Sequence, residues 1–262
     1  MLETRSRGAV WVLQLIATVI IIPFLFPLVV MVQGSFGGRG WGNYEAVLAI
    51  PDLWRYFLNS TIIALAVIAI VFVCTLLAAF AFSKLRVPAK ELFFWLLLLG
   101  LTLPEIVLIT PLFATAAATG LYDTLWAVII PTAALQIPFT VLIVRSFFDG
   151  IPNELFEAAR VDGASTVRMF WSIVLPLSRP IAATVVILTL ITSWNAYLLP
   201  LVFLQSADNQ TVTLLSQFFV GQFVNDQTKI LAGSVIIALP EILAYVLLQR
   251  YFEKGLTAGA VK

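Results

Sequence analysis

Few side chains in this sequence could perform catalysis or bind a metal. The chain has no histidine, and Cys74 is its single cysteine. Histidine-based triads, histidine zinc sites, thiolate metal clusters and internal disulfide bonds are therefore excluded. The chain also lacks a glycine-rich loop ending in Gly-Lys-Ser or Gly-Lys-Thr, the pattern that cradles nucleotide phosphates. We predict that the chain is not an enzyme and that it binds no metal and no cofactor of its own.

The polar side chains of most interest interrupt long apolar runs. Such groups are costly in lipid, so at membrane depth they usually face a cavity or a neighbouring helix. Glu105 and Glu241 each follow a proline, which removes a helical hydrogen bond and favours a kink. These polar residues could line a path for a solute through the membrane, or they could serve only the packing between helices. The sequence leaves both interpretations open. The candidates for such a path are Glu105, Gln136, Trp194, Asn195 and Glu241.

The composition indicates that these runs lie in a lipid bilayer. Of the 262 residues, 61% are hydrophobic and 11% are charged, and the mean hydropathy is +1.03. Soluble domains are about a quarter charged. The net charge of +1 creates no field that would attract nucleic acid. An ordinary soluble domain, a disordered chain and a nucleic-acid-binding protein are therefore excluded, and an integral membrane protein is predicted.

Six apolar runs are long enough to cross a bilayer as helices, which need about 20 residues. Most of the 15 Lys and Arg residues fall on the side that holds both termini, and this side is predicted to be cytoplasmic. The predicted fold class is all-α, a polytopic membrane protein with six transmembrane helices and both termini cytoplasmic. Residues 1–262 are predicted to form one membrane domain. The predicted spans are 9–32, 59–82, 92–118, 125–148, 181–203 and 230–251.

The loop at about 149–179 is more polar than its surroundings and carries helix signals. Pro152 and Asn153 are typical of a helix start, and Gly163 of a helix end. Ser165 is a suitable N-cap for a second helix, and Pro176 is predicted to end that helix. The sequence therefore predicts a helix, a sharp turn and a second helix on the cytoplasmic side.

The residues of this loop resemble the EAA loop of ABC importer permeases. The resemblance covers nearly the whole chain, and the second, six-helix permease of the maltose-type carbohydrate uptake family is the most similar type. Ala196 departs from the family pattern, which often has an acidic residue there. The matching segments are Glu157-Ala158-Ala159, Asp162-Gly163-Ala164, Ile173-Val174-Leu175-Pro176, Phe57-Leu58-Asn59-Ser60, Gly120-Leu121-Tyr122-Asp123-Thr124, Trp194-Asn195 and Gly255-Leu256-Thr257-Ala258-Gly259-Ala260-Val261-Lys262.

The resemblance implies the type I importer permease fold in a bacterial or archaeal cytoplasmic (inner) membrane. It implies a homologous permease as the partner in a heterodimer, two ATPase subunits that bind ATP and Mg, and an external substrate-binding protein. No nucleic acid partner is expected. Asn, Gln, Glu and Trp at membrane depth would suit a sugar, which offers hydroxyls and apolar CH faces. The residues implied to couple the chain to the ATPase are Glu157, Ala158, Ala159, Asp162, Gly163 and Pro176.

The outer segment, residues 205–229, has an apolar face in an otherwise polar stretch. By resemblance it would reach the external binding protein. Packing on the membrane surface is the alternative. The candidates for contact with the binding protein are Leu214, Phe218 and Phe219.

Two further functions remain open from the sequence. A proton-coupled secondary transporter would use Glu105 and Glu241 as proton carriers, which explains acids at membrane depth. It does not explain the helix–glycine–helix loop. A permease for another solute class, such as a polyol or glycerol phosphate, would share every feature above.

Overall fold

The computed structural model describes residues 7–220 and 225–260, and all of its long elements are helices. The terminal residues 1–6 and 261–262, which bear on the predicted cytoplasmic termini, lie outside the described residues, as do residues 221–224 of the outer segment. The helices are α1 (Arg7–Ser35), α2 (Trp41–Leu48), α3 (Leu53–Lys84), α4 (Lys90–Leu98), α5 (Glu105–Thr119), α6 (Trp126–Asp149), α7 (Asn153–Val161), α8 (Thr166–Leu177), α9 (Arg179–Trp194), α10 (Leu198–Phe203) and α11 (Gln227–Ala260).

Four of these helices, α1, α3, α6 and α11, are long and apolar enough to cross a membrane, and two bent pairs raise the number to as many as six. The first pair, Lys90–Thr102 and Glu105–Thr119, is bent by 101°. The second, Thr166–Leu177 and Arg179–Trp194, is bent by 76°. The all-helical, multi-span prediction is therefore confirmed, and two apolar helix pairs are sharply bent at a break.

The break in the first pair follows from its sequence. Pro104 has an extended backbone (φ −68°, ψ 137°) and stands directly before α5. Its ring removes the amide hydrogen that a continuous helix would need and disfavours helical geometry at the preceding Leu103. Leu103 accordingly has an extended backbone, with ψ 111°.

The chain packs as two compact units, one of Met1–Pro51 with Leu215–Leu239 and one of Asp52–Leu214 with Pro240–Lys262. In the larger unit, α3 packs along α6 and α9. Branched and aromatic side chains fill this contact, and Val67, Val71, Val144 and Phe148 are fully buried. The small side chains of Ala79, Ala127 and Ala133 are also buried there, because small residues let membrane helices approach closely.

A pair of buried hydroxyl groups joins α3 to α6. The Thr75 and Thr140 oxygens are 2.6 Å apart. The Thr140 hydroxyl also lies 3.1 Å from the carbonyl oxygen of Gln136 and 3.0 Å from that of Ile137 on its own helix. When Thr140 donates to its own helix, Thr75 donates to Thr140, and both buried groups are satisfied.

Hydrogen bonds fasten the first half of the outer segment to the larger unit. Asn59 on α3 donates to the carbonyl oxygens of Asp208 (2.8 Å) and Gln210 (2.9 Å). Asp123 accepts from the amides of Gln205 (2.9 Å) and Ser206 (3.1 Å). Burial raises the pKa of the Asp123 carboxyl, but these hydrogen bonds outweigh burial and hold the pKa below its usual value.

In the smaller unit, polar groups close the ends of the helices. The Asn43 amide donates to the carbonyl oxygens of Ser35 (2.9 Å) and Gly37 (2.7 Å), which terminates α1. Asp226 precedes α11 and accepts from the Thr228 hydroxyl (2.8 Å) and the Lys229 amide (3.3 Å). Its hydrogen bond with the Lys229 side chain contributes most to lowering the pKa of Asp226 to about 2. An anion at this position also suits the positive end of the helix dipole.

We expect Thr140→Val to destabilise the protein by about 1 kcal/mol, because the Thr75 donor loses its partner. Thr75→Val should cost less, since Thr140 keeps its own helical carbonyl. The double variant should resemble Thr75→Val alone. Thermal and denaturant unfolding in detergent would measure all three. Equal losses in the two single variants that add in the double variant would contradict this assignment.

Candidate coupling loop and membrane cavity

The loop between α6 and α9 is a helix–turn–helix closed by a Schellman motif. The amide of Ala164 donates to the Ala159 carbonyl (2.8 Å), and that of Gly163 to the Arg160 carbonyl (3.0 Å). Gly163 has φ +75°, the left-handed geometry that glycine adopts without strain. The Ser165 hydroxyl then accepts from the Arg168 amide (3.3 Å) and caps α8. The predicted start, turn glycine and second N-cap are all present.

The inner side of α7 is anchored to the end of α3. Phe156 is 2% exposed, and its ring lies 6.4 Å from that of Phe80. The Lys84 ammonium lies 5.3 Å from the centre of the Phe156 ring. It also donates to the Ile151 carbonyl (2.7 Å) and the Asn153 side-chain oxygen (3.0 Å). Packing and hydrogen bonds therefore hold α7 against the last turn of α3.

Most of the loop residues that the sequence predicts to couple to an ATPase are exposed. Glu157, Ala158 and Asp162 are exposed, and Ala159 is half-buried. Val161 stands among them with 88% of its surface exposed. Val161 was not among the predicted residues, because the candidates were chosen for charge or small size. The signal available in the sequence was an apolar β-branched residue at the end of a polar helix. Among these exposed residues, Val161 is apolar, and Glu157 and Asp162 carry carboxylates.

The second helix of the loop differs from the prediction that Pro176 ends it. The helix passes through Pro176 and ends at Leu177. Residues Phe170–Val174 form a wider π turn, in which the Leu175 amide donates to the Phe170 carbonyl. Pro176 has no amide hydrogen for a regular helical bond, and the wider turn before it removes the clash that a proline causes inside an α-helix. Pro176 itself is exposed.

Inside the larger unit, a cavity of about 570 Å³ opens where two helices are interrupted. Glu105 reaches it from the break before α5, and Gln136 reaches it from α6. Asn195 and Tyr197 reach it from the break between α9 and α10. Three of the five predicted path residues therefore line one cavity. Among the described residues, no cluster of acids or cysteine could hold a metal ion.

A fourth predicted path residue is joined to this cavity by a hydrogen bond. The Asn195 amide donates to both carboxylate oxygens of Glu241, at 3.0 Å each, and to the Ile191 carbonyl (2.9 Å). Trp194 lies elsewhere: it is 5% exposed, and its ring is 6.3 Å from that of Phe57. Neighbours in sequence thus have different surroundings, with Asn195 at the cavity and Trp194 in a helix contact.

The three candidates for contact with a binding protein also differ in exposure. Leu214 is 4% exposed and packs inside the protein. Phe218 is 48% exposed. Phe219 is half-buried, with the Lys229 ammonium 5.7 Å from its ring centre. Phe218 therefore offers the largest accessible apolar surface of the three.

Known proteins resemble the chain in both sequence and fold. The family model described as binding-protein-dependent transport system inner membrane component matches residues 72–258. The probable ABC transporter permease protein YurM of Bacillus subtilis (strain 168) is 33% identical, over 98% of this chain and 89% of its own length. The arabinooligosaccharides transport system permease protein AraQ of Halalkalibacterium halodurans is 34% identical, over 80% of this chain and 74% of its own.

A solved structure has the same fold. A chain of a bacterial ABC transporter involved in the import of the acidic polysaccharide alginate superposes with a TM-score of 0.75. It is 22% identical in sequence, and the match covers 96% of this chain and 99% of that one.

The broken-helix membrane fold and these matches define a membrane-spanning permease of the ABC importer class. The chain belongs to the family of binding-protein-dependent transport system inner membrane components. It is therefore a multi-pass inner-membrane protein and a non-catalytic subunit of an ATP-driven import system. Membership of this family does not favour the proton-coupled alternative.

We expect Gly163→Ala to destabilise the loop by about 1 kcal/mol, because a β-carbon strains left-handed backbone. A β-carbon there would meet nothing within 4 Å, so the cost is one of backbone conformation. Gly163→Asn should cost less, since Asn tolerates this region. Thermal unfolding and limited proteolysis of the purified chain would measure both.

A matched control is Gly233→Ala in α11, where the added carbon would meet Val47 at an ordinary 3.9 Å. That change should preserve or raise stability, because alanine favours helix more than glycine does. Equal effects of Gly163→Ala and Gly163→Asn would contradict the backbone explanation.

Proposed function

We propose that this chain is one half of the translocation pathway of a carbohydrate importer. A homologous permease forms the other half, and two cytoplasmic ATPase subunits, which bind ATP and Mg, drive the cycle. An external binding protein delivers the sugar. The observation that carries the proposal is the α7–Gly163–α8 loop, with its inner side fixed to α3 and its outer side free to contact another protein.

The loop is built to transmit movement from an ATPase. Glu157 and Asp162 provide charge for contact with a partner, Ala158 and Ala159 permit close approach, and Gly163 fixes the turn. A displacement of α7 is carried to the end of α3 through Phe156 and Lys84, whose contacts are described above. Because α3 packs along α6 and α9, the helices that border the cavity move with it. Such a rigid element with two positions is sufficient for alternating access.

The loop is also connected to the cavity through α9. Pro176 lies in the last turn of α8, and the chain continues into α9 through Ser178 after the 76° bend. The Ser178 hydroxyl donates to the Leu175 carbonyl (2.8 Å), and its carbonyl accepts from the Ala182 amide (2.7 Å). The bend is therefore hydrogen-bonded on both sides. At its far end α9 terminates at Asn195, so α9 connects the loop to the cavity.

The cavity has groups that suit a sugar. Glu105 and Gln136 provide acceptors and an amide donor, and Tyr197 provides an aromatic ring; all three line the cavity. Leu101 and Leu199 contribute apolar surface for sugar CH groups. The name of AraQ refers to arabinooligosaccharides and that of the solved transporter to alginate, and both are carbohydrates. The name of AraQ supports a carbohydrate, whereas a relative that is 32% identical over 84% of this chain is named for glycerol phosphate, so uptake of both solutes is to be measured.

We expect Glu157→Arg to reduce recovery of the ATPase at least tenfold when the tagged chain is purified with its partner subunits in mild detergent. Reversing a charge at a close interface typically costs more than about 1.4 kcal/mol, or a factor of ten. Glu45→Arg is the control, since Glu45 is also exposed, belongs to α2 and lies outside the loop. Equal recovery from both variants would show that Glu157 does not contact the ATPase.

We expect Asn195→Leu to lower sugar uptake by about tenfold, because the Glu241 side chain loses its hydrogen-bond partner at the cavity. ATPase recovery should be unchanged. Thr192→Val is the control, because Thr192 also lines the cavity but donates to Leu188 of its own helix (3.0 Å). Uptake of labelled neutral oligosaccharide, glycerol phosphate and a polyol would identify the solute class. Equal uptake in wild type and Asn195→Leu would remove this residue from the path.

A further inference from the structure

A basic pocket lies at the junction of α3, the following loop and α7. It has a volume of about 200 Å³. Its one acidic side chain is Glu157, and within the described residues Glu157 forms no ion pair with any of the cations. The cations that line the pocket are Lys84, Arg86, Lys90 and Arg160.

Two of these cations donate hydrogen bonds to neutral acceptors, and the carboxylates of Asp149 and Glu154 act on Lys84 from outside the pocket lining. Lys84 donates to a carbonyl and an amide oxygen, as described above, and Lys90 to the Leu85 carbonyl (3.5 Å). All of these acceptors are neutral. The nearby Asp149 carboxylate already accepts from the Ser83 hydroxyl (2.6 Å) and lies 3.8 Å from Arg145. The pocket therefore concentrates positive charge where an anion with several oxygens would fit.

An apolar groove of about 260 Å³ adjoins this pocket, and Leu85 lines both. Leu77 and Phe80 of α3 and Trp171 of α8 form its walls. Trp171 is 62% exposed, so the groove opens to the surroundings of the helices. Positive charge and an apolar channel thus meet at Leu85.

We propose that this composite site binds one anionic phospholipid, with the phosphate in the basic pocket and an acyl chain in the groove. A free anion would use only the pocket, and an acidic protein segment would leave the groove uncovered. The position also favours a lipid, because α4 begins at Lys90 and exposes Leu92, Phe93 and Trp95. Basic pockets between membrane helices on the cytoplasmic side are typical binding sites for anionic head groups.

The proposed lipid would touch the loop on the side that faces α3, with its head group beside Glu157. Arg160 belongs to α7, and Phe170 and Trp171 belong to α8, so both helices of the loop contribute to the site. A lipid bound there would join the loop to the end of α3, in addition to the Lys84 anchor. This role extends beyond transport itself, because it makes the bilayer composition part of the coupling apparatus.

The test is native mass spectrometry of the purified full-length chain, titrated with dioleoylphosphatidylglycerol or dioleoylphosphatidylcholine. We expect wild type to retain one phosphatidylglycerol in preference to phosphatidylcholine. Arg86→Gln/Arg160→Gln should weaken this binding roughly 25-fold, about fivefold for each removed charge. Neither arginine side chain has an ion pair in the part of the chain that the structure describes, so the double variant should fold normally.

Arg179→Gln is the matched control, because Arg179 is an exposed cation that lines neither the pocket nor the groove. Equal weakening by this control would show unspecific contact with surrounding lipid and overturn the proposal, as would a double variant with wild-type preference. Trp171→Ala should weaken phosphatidylglycerol without changing the binding of inorganic phosphate.

Two other outcomes would also overturn the proposal in favour of another occupant. Tight binding of inorganic phosphate with no preference for phosphatidylglycerol would identify a site for a free anion. Loss of the ATPase when the double variant is purified with its partner subunits, with its lipid preference intact, would identify an acidic segment of the ATPase.

Discussion

Inside a bilayer every backbone amide and carbonyl must find a partner within the protein, and this constraint governs the rest of the structure. A continuous helix without proline, such as α3, meets it without help. The two interrupted helices cannot, so their free backbone groups must face protein or a polar cavity. Glu105 at one break and Asn195 at the other line the same cavity. The backbone interruptions and the polar space therefore depend on each other.

The sequence was sufficient for the helical fold because apolar runs of span length have one structural solution in lipid. It also predicted the loop, since Pro152, Gly163 and Ser165 act through local backbone geometry. Local signals were less reliable for prolines. Pro104 breaks its helix, but Pro240 lies inside the continuous α11, where only tertiary packing decides between a break and a tolerated proline. The π turn before Pro176 could not be predicted either, because it carries none of the residues that usually mark a helix end.

The site could be predicted only as a set of candidates. Asn195 and Glu241 are 46 residues apart and meet through helix packing that no local pattern encodes. Trp194 and Leu214 were selected for residue type, and both are buried in contacts with the protein itself. Exposure is a tertiary property, which is also why Val161 went unnoticed. Family resemblance supplied the role of the loop, whereas the anchoring by Phe156 and Lys84 is visible only in three dimensions.

The π turn in α8 has a geometric consequence for the loop. Met169 and Val174 are both buried although they are five residues apart. In a regular α-helix that spacing would separate their directions by about 140°. The wider turn absorbs one additional residue and returns both side chains to the same core. The number of residues in this turn, as much as their type, therefore sets the direction in which the later side chains of α8 point. Deletion of one residue here would rotate Pro176 and the start of α9 by about 100° around the helix axis.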